Sequence, residues 1–157
     1  MPQEIQPAPH DPNDRFAIVV AQWHRAVTAK LLDGAVATLR TAGVPDEAIH
    51  VAHVPGSWEL PVVAARLAHS GDYAAVICLG AVVKGETSHD QYINHGVTAA
   101  LAHLAVEADL PVLFGLLTCD TVEQAMDRAG GKVGNKGSEC AEAALHMVAL
   151  LKNVPPT

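Results

Sequence analysis

Ala74-Ala75-Val76-Ile77-Cys78-Leu79-Gly80-Ala81-Val82-Val83 is an unbroken apolar run, and the polar segment Lys84-Gly85-Glu86-Thr87-Ser88 follows it at once. A run apolar at every position, not at alternate ones, is the pattern of a strand buried on both faces. From His89 on, Ile93, Val97, Ala100, Leu101 and Leu104 recur at helical spacing to about Asp109. Working outward, Phe16–Ala21, Val51–Val54 and Pro111–Leu117 read as three more buried strands. Between them, Val27, Leu31, Ala35 and Leu39 mark a helix that Gly43 and Pro45 stop, and a second helix runs from Ser57 to Ala68 with Pro61 in its first turn. Thr118–Arg128 reads as a short helix, the glycines at 130, 131, 134 and 137 punctuate a loop, and the last helix spans about Asn135–Leu151. Alternating helices and two-sided strands predict an α/β fold: a three-layer α/β/α sandwich around a four-stranded parallel sheet, flavodoxin-like in type. The Pro-rich residues 1–14 read as a flexible or extended arm that could add an N-terminal strand, and 15–157 as one domain.

Composition narrows the function. Ten basic against seventeen acidic residues give a net charge of −7, which disfavours a phosphate-backbone footprint and hence nucleic acid. The apolar runs fall short of the roughly 20 residues of a membrane helix, and the acidic, Pro-rich start lacks the basic and apolar stretches of a secretion signal. Three cysteines cannot pair completely and suit a reducing compartment, so a cytoplasmic location is expected.

In parallel sheets ligands bind outside the carboxyl ends of the strands. The segments there are Gln22-Trp23-His24, Pro55-Gly56-Ser57-Trp58-Glu59, Lys84–Asp90 and Thr118–Asp120. They hold both tryptophans of a chain that is only 4% aromatic. Two flat apolar faces beside polar groups suit a heterocycle, although the same residues could plug the end of the sheet. The Gly85–Ser88 turn lacks the order of a nucleotide-binding P-loop. It still opens a helix, so the free N–H groups of Glu86–His89 form a candidate anion site, with Arg128 as a candidate cation and His89 as a candidate proton carrier. An ordinary strand-to-helix turn reads the same way. Nine histidines show no acidic or cysteine partner at ligand spacing, and no nucleophile elbow is present, so neither a metal site nor covalent catalysis is expected.

Those segments resemble the lumazine synthase family. The resemblance rests on Trp23-His24, Pro55–Pro61, Leu79–His89, Phe114–Thr118, Glu123-Gln124-Ala125, Asp127–Gly130 and Gly134-Asn135-Lys136-Gly137, in the family's order and spacing over roughly Arg15–Leu151. It implies condensation of 5-amino-6-(D-ribitylamino)uracil with 3,4-dihydroxy-2-butanone 4-phosphate to 6,7-dimethyl-8-ribityllumazine, in riboflavin biosynthesis and without a cofactor. By resemblance Trp23 stacks on the pyrimidine, Ser57, Trp58 and Glu59 hold the ribityl chain, and Ala81, Val82 and Val83 read the ring's polar edge. Glu86 and Thr87 face the phosphate, Arg128 pairs with it, His89 transfers protons, and Phe114 reaches in from a neighbouring subunit. The family forms pentamers with sites between subunits, some packed into sixty-subunit shells, and the short Gly130–Asn135 loop resembles the shell-forming members. Asp90-Gln91 stands where the family has an aromatic and then an acidic residue, which leaves the partner of His89 open and motivates an alternative, a flavin- or lumazine-binding shell protein with impaired catalysis. A related transferase acting on another amine and sugar phosphate is a third reading.

Overall fold

In the computed structural model, which describes residues 1–157, the elements are β1 (Phe16–Ala21), α1 (Arg25–Thr41), β2 (Ile49–Val54), α2 (Leu60–His69), β3 (Ala75–Val83), α3 (His89–Ala108), β4 (Val112–Cys119), α4 (Val122–Asp127), β5 (Ala129–Gly131), β6 (Gly134–Asn135) and α5 (Lys136–Leu151). β1–β4 form one parallel sheet in the order β2-β1-β3-β4, and the run that opened the sequence analysis is its inner strand β3. Successive residues divide between two cores. Phe16, Ile18, Val20, Ile77 and Leu79 pack with α1 and α5, whereas Ala17, Val19, Val76 and Cys78 pack with α2 and α3. Two-sided burial explains why these strands read as continuous apolar runs.

Three local features depart from the sequence reading. β4 continues to Cys119, and α4 begins only at Val122. Thr121 is the reason: its hydroxyl accepts from the N–H of Gln124 (3.2 Å), and a capped residue lies outside the helix it starts. The glycine-rich loop holds a small antiparallel hairpin, β5–β6. α3 carries apolar side chains beyond its buried stripe, with Tyr92, Ala99, Ala102 and Val106 exposed among Gln91, His95, Thr98 and His103.

α1 and α5 cross at very short range. Gly137 lies directly against the backbone carbonyl of Leu31, where a Cβ would collide with Leu31 O. Asn135 locks the crossing, donating to Lys30 O (3.0 Å) and accepting from the N–H of Ser138 (3.1 Å) as the cap of α5. The arm is extended and pinned to the far end of α5. The Ala8 N–H donates to Ala149 O (2.9 Å), Asn153 Nδ2 donates to Gln6 O (2.7 Å), and Lys152 Nζ pairs with Asp14 (2.6 Å). No helix is long and apolar enough to cross a membrane.

The three thiols are free. Burial pushes Cys78 up to about 12 and Cys140 up to about 11, because neither thiolate can be solvated inside a core. Titration of the native protein with a thiol reagent at pH 8 is therefore expected to modify Cys119, half-buried at the end of β4, and to spare Cys78 and Cys140 until the chain unfolds. Rapid modification of all three in the native state would contradict this.

Candidate active site

The chain turns from β1 to β2 on one side of the sheet and from β3 to β4 on the other, so the order reverses between β1 and β3. Loops leaving adjacent strands in opposite directions open a crevice at their carboxyl ends. A cavity of about 250 Å³ occupies that place, lined by Trp23 and His24 after β1, Ser57 and Trp58 after β2, Ala81, Val82 and Val83 at the end of β3, and Gly85, Thr87, His89, Asp90 and Ile93 beyond it. Backbone bonds tie the two tryptophan loops together: Gln22 N–H donates to Val54 O (2.8 Å) and Trp23 N–H to Pro55 O (3.0 Å).

The tryptophans do not plug the sheet. Trp23 is 63% exposed and Trp58 60%. Each lies on a glycine, Trp23 on Gly56 and Trp58 on Gly96, where a Cβ would stand 2.5 Å from the indole. The missing side chains let each ring lie close to the backbone and leave much of its surface uncovered, an arrangement suited to stacking a flat ligand. Gly80 does the same for Ser57, whose hydroxyl would be 2.6 Å from a Cβ at that position. His24 is held in the left-handed region at φ 60, one of two non-glycine residues there. Such strain, where it persists, is held by its surroundings and clusters at functional sites.

At the rim, α3 begins with its N–H groups largely unused. His89 N–H donates to Thr87 Oγ1 (3.3 Å), but the N–H groups of Gly85, Glu86, Thr87, Ser88 and Asp90 find no acceptor in the chain. Open donors at the positive end of a twenty-residue helix favour an anion. The ring of His89 makes no hydrogen bond within the chain, and Asp90 beside it makes none either.

The remaining sequence candidates lie elsewhere. Glu59 uses its carboxylate to accept from Gly56 N–H (3.1 Å) and lines a neighbouring cavity with Trp58 and Gly96. Glu86 is exposed in the turn, outside the lining. Phe114 is on the outer strand β4, 39% exposed. Arg128, at the end of α4, lines a separate cavity of about 510 Å³ with Thr118, Gln124, Lys136 and Glu139, and has no ion-pair partner. The first cavity thus collects Trp23, Ser57, Trp58, Ala81–Val83, Thr87 and His89, and leaves out Glu59, Glu86, Phe114 and Arg128.

Sequence reasoning missed Lys136 and Ile93, and it placed His24 and Asp90 in the strand-end segments without giving either a binding role. Lys136 carried a readable signal: it is the first residue of α5, where the helix dipole disfavours a cation. A lysine at that position calls for a nearby anion, and Arg128 is next to it, its carbonyl accepting from Lys136 N–H (2.8 Å).

Known proteins share this chain's pattern over nearly its whole length. A family model for 6,7-dimethyl-8-ribityllumazine synthase matches residues 13–152. A 6,7-dimethyl-8-ribityllumazine synthase of Salinibacter ruber is 53% identical over 137 residues, which cover 87% of this chain and 88% of that relative. The chain belongs to the 6,7-dimethyl-8-ribityllumazine synthase family.

Proposed function

We propose that this chain condenses 5-amino-6-(D-ribitylamino)uracil with 3,4-dihydroxy-2-butanone 4-phosphate to form 6,7-dimethyl-8-ribityllumazine for riboflavin biosynthesis, in active sites built between two copies. One observation carries the proposal: the aromatic cavity with His89 and the cationic cavity with Arg128 are separate in a single chain. At about 250 Å³ the aromatic cavity is below the roughly 300–1,000 Å³ usual for small-molecule sites, as expected of half a site. Phe114 and Arg128 of one copy closing over Trp23 and His89 of the next supplies what each half lacks.

Trp23 holds the pyrimidine by stacking, and the Ala81–Val83 backbone reads its polar edge. Ser57, Trp58 and Glu59 belong to the ribityl chain, with Glu59 also bracing the Gly56 turn. The phosphate lies at the start of α3, against the free N–H groups of Glu86 and Thr87, with Arg128 and Lys136 across the interface. The substrate's amine attacks the ketone and loses water to give an imine. Phosphate then leaves by elimination as His89 moves a proton, and the cations and helix N-terminus stabilise the departing dianion. The enol left by that elimination tautomerises to a ketone, the ribityl-bearing amine nitrogen closes on it, and a second water departs. Amine and ketone react unaided, so alignment is the enzyme's larger task.

Uncovered apolar surface supports association. Trp58, Val62, Tyr92, Val106 and Phe114 are all exposed, and β4 leaves one edge of the sheet unpaired. Such surface invites partners unless a copy covers it. A ring of copies uses this face, and the short Gly130–Asn135 loop, which resembles that of the shell-forming members, suits five-fold rings packed as a sixty-subunit shell. Sedimentation of the purified protein is expected to show pentamers or their multiples. Phosphate release and lumazine absorbance from the two substrates are expected to exceed the protein-free condensation well and to disappear on heating the protein. Release no faster than that control, from folded and assembled protein, favours a binding shell over an enzyme.

A further inference from the structure

Two polar atoms stand out because nothing satisfies them. Asp90 Oδ1 and Asn94 Oδ1 are shut off from water, and neither meets a donor. They are one turn apart on α3, on the side that carries Val97, Leu101 and Leu104 to the sheet, so their side chains are neighbours. Two buried acceptors side by side are costly, because each unsatisfied group forfeits its hydration without replacement. One helical turn away, an Asn94 carboxamide turned to present Nδ2 is the nearest side chain on α3 with a donor to offer Asp90 Oδ1. With Oδ1 enclosed, Oδ2 is the oxygen that keeps accessible surface, and Asp90 is the one carboxylate lining the tryptophan cavity.

Asp90 does not serve His89. Consecutive residues on a helix do not face one another, and no hydrogen bond joins them. Asp90 is in the first turn of α3, and its carboxylate offers acceptor oxygens toward the cavity. Resting on the reading of this cavity given above, we propose that Asp90, oriented by Asn94, is a specificity-determining residue for the aminopyrimidine substrate: Oδ2 accepts a hydrogen bond from an N–H or O–H of the molecule stacked on the tryptophans. Asp90 is then a binding residue and Asn94 a positioning residue.

Equilibrium binding to the assembled protein tests this with two probes, 6,7-dimethyl-8-ribityllumazine and 6,7,8-trimethyllumazine, which lacks the ribityl chain. D90L is expected to raise the Kd of the ribityl compound tenfold or more. Equal loss on both probes assigns the donor to the ring, and loss confined to the ribityl compound assigns it to the chain. N94L is expected to weaken binding less than D90L, and the double variant no further than D90L alone, since Asn94 acts only through Asp90. If D90L does not assemble, D90N decides: a threefold or larger rise in Kd supports the proposal and an unchanged Kd overturns it. An unchanged Kd in D90L while W23A binds weakly also overturns it and leaves the cavity reading standing. If the parent protein binds neither probe, the cavity reading itself fails and the proposal with it.

Discussion

Arg128→Ala is expected to lower kcat/KM for the phosphate-bearing substrate by about 10²- to 10³-fold, the usual loss when one donor to a developing anion is removed. Fold and assembly are expected to survive, because the guanidinium makes no ion pair in the chain and is exposed. KM for the aminopyrimidine is expected to stay near the parent value, since Arg128 pairs with the phosphate and not with the pyrimidine. His89→Ala is expected to slow turnover by about 10²-fold, the low end of the range for proton-transfer groups, because alignment survives. The sharper result comes from mixing. If a site takes His89 from one copy and Arg128 from the next, equal amounts of the two variants, unfolded together and reassembled, restore about a quarter of the parent's activity, since one junction in four is intact in a head-to-tail ring. Assays of the mixed assemblies against each variant reassembled alone read this directly. No gain on mixing would place His89 and Arg128 in one chain's site or in none.

Gly137→Ala is expected to be the most damaging small substitution in the scaffold. The added methyl meets the backbone carbonyl of Leu31, which no rotamer change can move aside. α1 and α5 must separate, and with them the Asn135 bridge to Lys30 O and the cap on Ser138. Overpacking of this kind costs about 1–3 kcal/mol, to which the loss of the Asn135 bonds adds about 1 kcal/mol each. A large fall in soluble assembled protein, or a Tm lowered by roughly 5–10 °C, is the expected readout. Gly71→Ala is the control: it opens onto empty space, so its cost is confined to its positive φ. Parent-like stability of Gly137→Ala would mean that the crossing has slack which the short approach does not suggest.

Much of this protein was legible before folding. The strands declared themselves because burial on both faces removes polar residues from a whole run, and the continuous stretch ending at Val83 leaves few alternatives. Punctuation by Gly43, Pro45 and Pro55-Gly56 bounded the elements, and the rule that ligands gather at strand carboxyl ends pointed to Trp23, Ser57, Trp58 and the Gly85–His89 turn. These are local or periodic signals, carried by residues near one another in the chain. The end of β4 escaped the reading because a threonine cap competes with apolar periodicity, and the β5–β6 hairpin escaped because glycines are equally at home in turns and loops.

Which candidates share a cavity was another matter. Asp127-Arg128 and Leu79–His89 are equally clear motifs, yet Arg128 and His89 line different cavities, because α4 packs beside α1 at the outer edge of the sheet while the start of α3 lies over the β1–β3 crevice. Nor could spacing show that Trp23 rests on Gly56 and Trp58 on Gly96, that Asn135 bridges α1 and α5, or that the buried oxygens of Asp90 and Asn94 lack donors. Periodicity reports which side of an element faces inward, since that depends only on the backbone repeat. The partner across the gap depends on how elements far apart in sequence are stacked and crossed, and that arrangement exists only once the two cores have closed on the sheet.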